Sequence, residues 1–280
     1  MPAGLLDINV LPALALASLP PGCPRAFVAP LERLLKTIHP PGFPMCIVLE
    51  YPGTATIQII AVSPYSQVAP RLHFLSGMDP KTTAIILVGY QNDYFASNGI
   101  LRGVVEGANR VDETLSNTLT LLHTAAEAGM ALISTPIILT PDYRAMAESE
   151  GILGAIKSSG AFKAGSPGAD TIPEMLAFGD KIIYVNGKQG FNAFSNTELD
   201  RVLRAHNIHH LLLAGMITSL CIDSTGRAAY ERGYKVTVLS DCVSARTPAE
   251  QDFYCNHIFP LYAEVMTNRE FMEQFTPATV

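Results

Sequence analysis

The sequence has no run of Lys and Arg, no apolar stretch of the roughly 18 to 20 residues that a membrane helix requires, and no regularly spaced cysteines. Each absence excludes a class. With a formal net charge of -6 and a pI near 5.6, the chain lacks the clustered cations that bind phosphate backbones, so nucleic acid is excluded as a partner. The absence of a long apolar run excludes a membrane-spanning helix. Five cysteines, at positions 23, 46, 221, 242 and 255, form neither a disulfide framework nor a C-x-x-C knuckle, and a reducing cytoplasm is the expected location. The apolar segment Val10 to Leu19 has the look of a signal-peptide core. Asp7 precedes it, however, and no Lys or Arg occurs before Arg25, so it is expected not to direct export. Charged residues are also scarce, at 16% against 48% hydrophobic, which implies much apolar surface to bury, some of it in contacts between copies of a homo-oligomer.

What is present divides near residue 80. The first 80 residues carry prolines at 20, 21, 24 and 30 and again at 40, 41 and 44. Within them Cys46 to Tyr51 and Thr54 to Val62, separated by Pro52-Gly53, read as two strands joined by a turn. A small β-containing appendage over residues 1–80 is expected, followed by a main domain over 81–280. There the chain alternates strand and helix, the pattern of parallel βαβ units. Thr83 to Val88 (TAIILV) is continuously apolar, as a strand buried on both faces requires. Val105 to Ala128 has helical spacing (Val111, Leu115, Leu119, Leu122) and stops at Gly129. Later strands are expected at Ala131 to Ile137, Lys181 to Val185, His210 to Ala214, Lys235 to Leu239 and Ala263 to Met266. Helices are expected at Thr197 to His206, Leu220 to Arg232 and Pro248 to Phe259. The fold class is therefore α/β: a doubly wound, mostly parallel sheet of about six strands with helices on both faces.

Such sheets bind ligands beyond the carboxyl ends of their strands, which directs attention to Gly89-Tyr90-Gln91, Asn186-Gly187-Lys188 and Gly215 to Cys221. Cys221 falls near the start of a helix, where N–H groups and the helix dipole favour a thiolate over a free thiol of pKa about 8.5. Taken alone, it is equally a small buried hydrophobe. Lys188 is a cation suited to a thiolate or an oxyanion, or else a solvated loop lysine. Gly160 to Gly168 is rich in glycine but does not match a phosphate-binding loop. It reads as a connecting, substrate-side or subunit-contact loop.

The stretch Gly187 to Arg246 resembles the isochorismatase-like cysteine hydrolases, the superfamily of isochorismatase, nicotinamidase and carbamoylsarcosine amidohydrolase. The resemblance rests on Lys188 followed by Phe191-x-Ala193-Phe194, Thr197-x-Leu199-Asp200, Gly215-x-x-Thr218-x-x-Cys221 and Glu231-Arg232-Gly233-Tyr234, with Ile86 to Phe95 resembling the family's first strand. It implies a small amide, ureido or related substrate, no cofactor, Cys221 as nucleophile and Lys188 as its cationic partner. It also implies an oxyanion hole from the Ile217 and Cys221 N–H groups, with a cis peptide between Met216 and Ile217. Tyr90, Gln91, Phe162, Phe191 and Phe194 are expected to line the substrate pocket.

Two departures qualify that expectation. The family's acidic residue at the end of the first strand is replaced by Gly89, which can neither take a proton nor orient the lysine. Asp93 is a weak substitute, about 13 Å away if the chain stays extended; Asp170, on the long loop, is another candidate. Metal-binding relatives carry an Asp-x-His pair after the second strand, but here no His lies between His123 and His206, so no metal is expected. The alternative to an enzyme is an impaired family member that binds a small molecule or a protein.

Overall fold

The computed structural model describes residues 46–48, 60–62, 78–144 and 150–273. The chain divides into two compact units, Met1–Leu72 and His73–Val280. In the first, strands β1 (Cys46–Val48) and β2 (Ile60–Val62) pair antiparallel. They fall inside the two expected strands, whose remaining residues and turn lie outside the described residues.

The second unit is built on one six-stranded sheet: β3 (Thr83–Val88), β4 (Ala131–Thr135), β5 (Ile182–Tyr184), β6 (His210–Met216), β7 (Lys235–Ser244) and β8 (Glu264–Met266). The order is β5-β4-β3-β6-β7-β8, and every pairing is parallel rather than mostly so. β3 lies inside the sheet, which explains its unbroken TAIILV composition. Ile85, Ile86 and Leu87 are fully buried and contribute about 2 kcal/mol each in hydrophobic transfer. Asp79 starts this strand cleanly: its side chain accepts from the Lys81 N–H at the turn Pro80–Thr82.

The helix Ala108–Glu127 presents Val111, Leu121, Leu122 and Ala125 to the core, with Leu115 and Leu119 partly buried beside them. It packs on β4, β6 and β7. The expected helix Thr197 to His206 forms as Leu199–Ala205. The expected helix after Cys221 starts only at Asp223 and runs to Glu231, because a π-turn, Thr218–Ile222, precedes it. Likewise Pro248 to Phe259 is not one helix: an α-helix at Pro248–Phe253 passes into a π-turn at Tyr254–Ile258. Between β4 and β5 a helix forms at Gly151–Ser159 that sequence periodicity had not shown. Among the described residues no helix is long and apolar enough to cross a membrane.

Candidate active site

The chain winds outward from β3 through β4 to β5 on one side, and from β6 through β7 to β8 on the other. The order therefore reverses between β3 and β6, where Val88 and Gly215 are paired at the strand ends. A crevice at such a reversal is where open α/β sheets take their ligands. Cys221 reaches it from the β6 side, in the π-turn. Lys188 reaches it from the other, its backbone bridged to Ile137 just past β4.

The two side chains meet above the end of β3. Lys188 Nζ lies 3.3 Å from Cys221 Sγ and donates to the Gly190 carbonyl at 2.6 Å. Lys188 is completely buried and Cys221 nearly so. A buried ammonium is costly, so burial pulls the lysine below its ordinary value, partly offset by the attraction of Cys221. Among the described residues no carboxylate is ion-paired with it.

The peptide between Met216 and Ile217 is cis, as the resemblance implies. The Ile217 carbonyl accepts from Leu220 and from Ile222, the residues flanking Cys221. Short π-turns of this kind recur at functional sites because they free backbone groups from the regular ladder.

Gly89 ends β3 with φ +75°, a conformation that side-chain-bearing residues rarely adopt. A Cβ placed there would lie 3.3 Å from the Met216 carbonyl oxygen and 3.3 Å from Tyr94 Cδ2 and Cε2. Tyr94, which sequence reasoning did not single out, thus fills the space beside the missing carboxylate. Its hydroxyl is raised well above its usual pKa, first by burial, then by Cys221 and Asp93. The phenol stays protonated at neutral pH. The signal for Tyr94 was its place one residue after Asp93, in the short helix Asn92–Phe95 that turns back beneath the strand end.

Asp93 has a clear occupation. One oxygen accepts from the Phe162 N–H at 2.6 Å, and the other packs against Gly168 so closely that a Cβ there would be 2.0 Å away. The glycine-rich loop is wrapped around this carboxylate. Burial raises its pKa, with the Phe162 hydrogen bond opposing. Asp170 is exposed, and its carbonyl accepts from the Asn92 N–H.

The expected pocket residues separate into groups. Gln91 is fully buried, and its amide is consumed by backbone: Nε2 donates to Ile137 and Ala169 carbonyls, and Oε1 accepts from the Ile137 N–H. Tyr90 is paired through its hydroxyl with Thr118 and stacked on Phe95. Phe194 carries the Arg232 guanidinium on its ring at 4.8 Å and stacks on Tyr234. These three hold the scaffold. Phe162 lies against Tyr94, with ring centroids 5.3 Å apart, and Phe191 is half-buried next to Gly190, the residue that holds Lys188.

The class defined by this architecture is an α/β protein with a doubly wound parallel sheet, carrying a buried thiol–amine pair at its switch point. Residues 83–270 match the isochorismatase domain model, and the chain belongs to the isochorismatase family. It is 28% identical to the ureidoacrylate amidohydrolase RutB of Cronobacter turicensis, over 72% of this chain and 91% of that protein. It is 31% identical to RutB of Caulobacter vibrioides, over 61% of this chain and 80% of that protein. A match to the isochorismatase family protein YwoC of Bacillus subtilis is 33% identical but spans only 38% of this chain and 55% of that protein. Among solved structures, a cysteine hydrolase from Pseudomonas syringae pv. phaseolicola superposes with a TM-score of 0.60 at 24% identity, covering 70% of this chain and 93% of that one. N-carbamoylsarcosine amidase from Thermoplasma acidophilum superposes with a TM-score of 0.54 at 21% identity, covering 67% of this chain and 96% of that one. At those identities the two structures speak for the fold.

Proposed function

We propose that this chain is a cysteine hydrolase of small amide or ureido compounds, with Cys221 as nucleophile and Lys188 as its partner. The observation that carries the reading is the 3.3 Å contact between Lys188 Nζ and Cys221 Sγ in a buried crevice at the switch point. The thiolate attacks the carbonyl carbon, forming a C–S bond and moving the carbonyl π electrons onto oxygen. The Ile217 and Cys221 N–H groups receive that oxyanion. The intermediate collapses, the amine leaves with a proton, and water then releases the acid from the thioester. Phe191 and Phe162 line the approach. The amidohydrolase relatives support the substrate class.

A second reading, a family member that binds its ligand without turning it over, is favoured by Gly89, where the family's acidic residue is missing. A panel of N-carbamoyl compounds and primary amides, assayed for product with the unmodified protein and with Cys221→Ser, separates the two. Product from the unmodified protein alone, with an acyl mass increment on the Cys221 peptide, is the expected result. Saturable binding with no product from any compound would establish the second reading instead.

A further inference from the structure

We infer that Lys188, rather than a carboxylate, is the group that takes the thiol proton of Cys221, so that the site operates as a cysteine–lysine dyad. This inference rests on the hydrolase reading and supplies the step that Gly89 leaves open.

Among the described residues, the ionisable groups around the pair are otherwise engaged. Gly89 offers no acid, and a side chain there would press on Tyr94. Tyr94 itself is held protonated by burial and by its neighbours, so it has no vacancy for a proton. Asp93, beyond Tyr94 on the same turn, has one oxygen on the Phe162 N–H and the other packed against Gly168. On the helix following Cys221, Asp223 is engaged by Arg227 and by the Tyr262 hydroxyl. From the helix Pro248–Phe253, Glu250 is engaged by Arg246 and by Ser219. The nitrogen of Lys188 remains, already in contact with the sulfur.

Its surroundings suit the role. A fully buried amine with one carbonyl partner and, among the described residues, no carboxylate gains little from being permanently charged, and burial lowers it toward the range in which an amine accepts protons. The proton moves a short way along the existing contact, from Sγ to Nζ. The neutral thiol–amine pair thereby becomes a thiolate–ammonium pair with no change in net charge, so burial opposes the transfer less than it would oppose an isolated thiolate. After attack on the carbonyl, the Lys188 ammonium returns this proton to the leaving amine. In the second half it accepts one from the attacking water. Protons balance over the cycle, and no outside base is needed.

The test compares Lys188→Ala with the unmodified protein, following Cys221 alkylation by iodoacetamide at neutral pH through mass spectrometry of the Cys221 peptide. Both proteins are first matched by thermal melting. A positioned base contributes about 10²- to 10⁴-fold, so the variant is expected to react at least about 100-fold more slowly. Added ethylamine, which fits the vacated space and accepts a proton, should restore much of the rate. Ethylguanidinium, always charged, should not. Restoration by both, or by neither, would overturn the dyad and leave Lys188 as a fixed cation or a packing residue. Lys188→Arg gives a second reading: its guanidinium keeps the charge but cannot take the proton, so unmodified reactivity in that variant would also overturn the inference. Failure of the hydrolase reading is recognisable separately, as an unmodified protein that forms no acyl adduct on Cys221 from any compound of the panel.

Discussion

The ring of Tyr94 stands over Gly89 so closely that any side chain at Gly89 would begin 3.3 Å from its Cδ2 and Cε2. A side chain at Gly89 therefore requires the Tyr94 ring to shift. Gly89→Asp alone is expected to destabilise the protein by about 1 to 2 kcal/mol, the cost of a side chain in the left-handed region, and to give no gain in hydrolysis. Gly89→Asp combined with Tyr94→Ala should bring the carboxylate within reach of Lys188 and raise the rate above that of Tyr94→Ala. Urea melts and turnover of the four proteins check both statements, and a gain from Gly89→Asp alone would show that Tyr94 gives way.

Gln91 binds two loops to the end of β3 through backbone groups of Ile137 and Ala169. Gln91→Ala leaves those buried donors and acceptors without partners, and a loss of about 2 kcal/mol or more is expected in the urea midpoint. A change within experimental error would mean that water replaces the amide.

For Asp93 the sign of the pH dependence is fixed by burial. Its folded pKa lies above the ordinary 3.8, so between those values the folded state holds more protons than the unfolded one. Its contribution to stability is greatest in acid and declines as pH rises through the folded value. Asp93→Asn, which still accepts from Phe162, should remove that decline and leave the protein equally or more stable at neutral pH. Denaturant midpoints measured across the acid range test this, and a variant less stable at neutral pH would show that the charge itself holds the loop.

His210 runs the other way. Burial, aided by Lys235, lowers it from 6.5 to about 4, and its ring nitrogen Nε2 is paired with Thr237 Oγ1. The stability it contributes as a neutral ring is complete above pH 6.5 and is lost as pH falls toward about 4. His210→Gln should flatten that part of the pH profile, read as the melting temperature in steps across the range; an unchanged slope would place the acid sensitivity elsewhere.

Phe191 neighbours Gly190, whose carbonyl holds Lys188. With an amide substrate identified, Phe191→Ala is expected to raise KM about ten-fold, equivalent to about 1.4 kcal/mol of lost apolar contact, and to leave kcat nearly unchanged. Equal KM values would remove it from the pocket.

The sequence by itself determined the class of this fold and the order of its strands along the chain. An unbroken apolar run such as Thr83–Val88 has few stable places other than the inside of a parallel sheet, and the alternation of strand and helix allows few windings. It also marked Cys221, Lys188 and the vacancy at Gly89, because those residues sit at strand ends within a recognisable spacing. What a one-dimensional pattern does not carry is which side chains meet. Only the tertiary structure decided that Lys188 crosses from the β4 side to the sulfur on the β6 side, and that Gln91 spends its amide on backbone. It likewise decided that Asp93 holds the loop at Phe162 and that Tyr94 fills the space beside Gly89. Those outcomes depend on distances between segments far apart in the chain, set by strand order and by the π-turn at Cys221. Periodicity reports which face of an element is buried, and the fold alone sets what it is buried against.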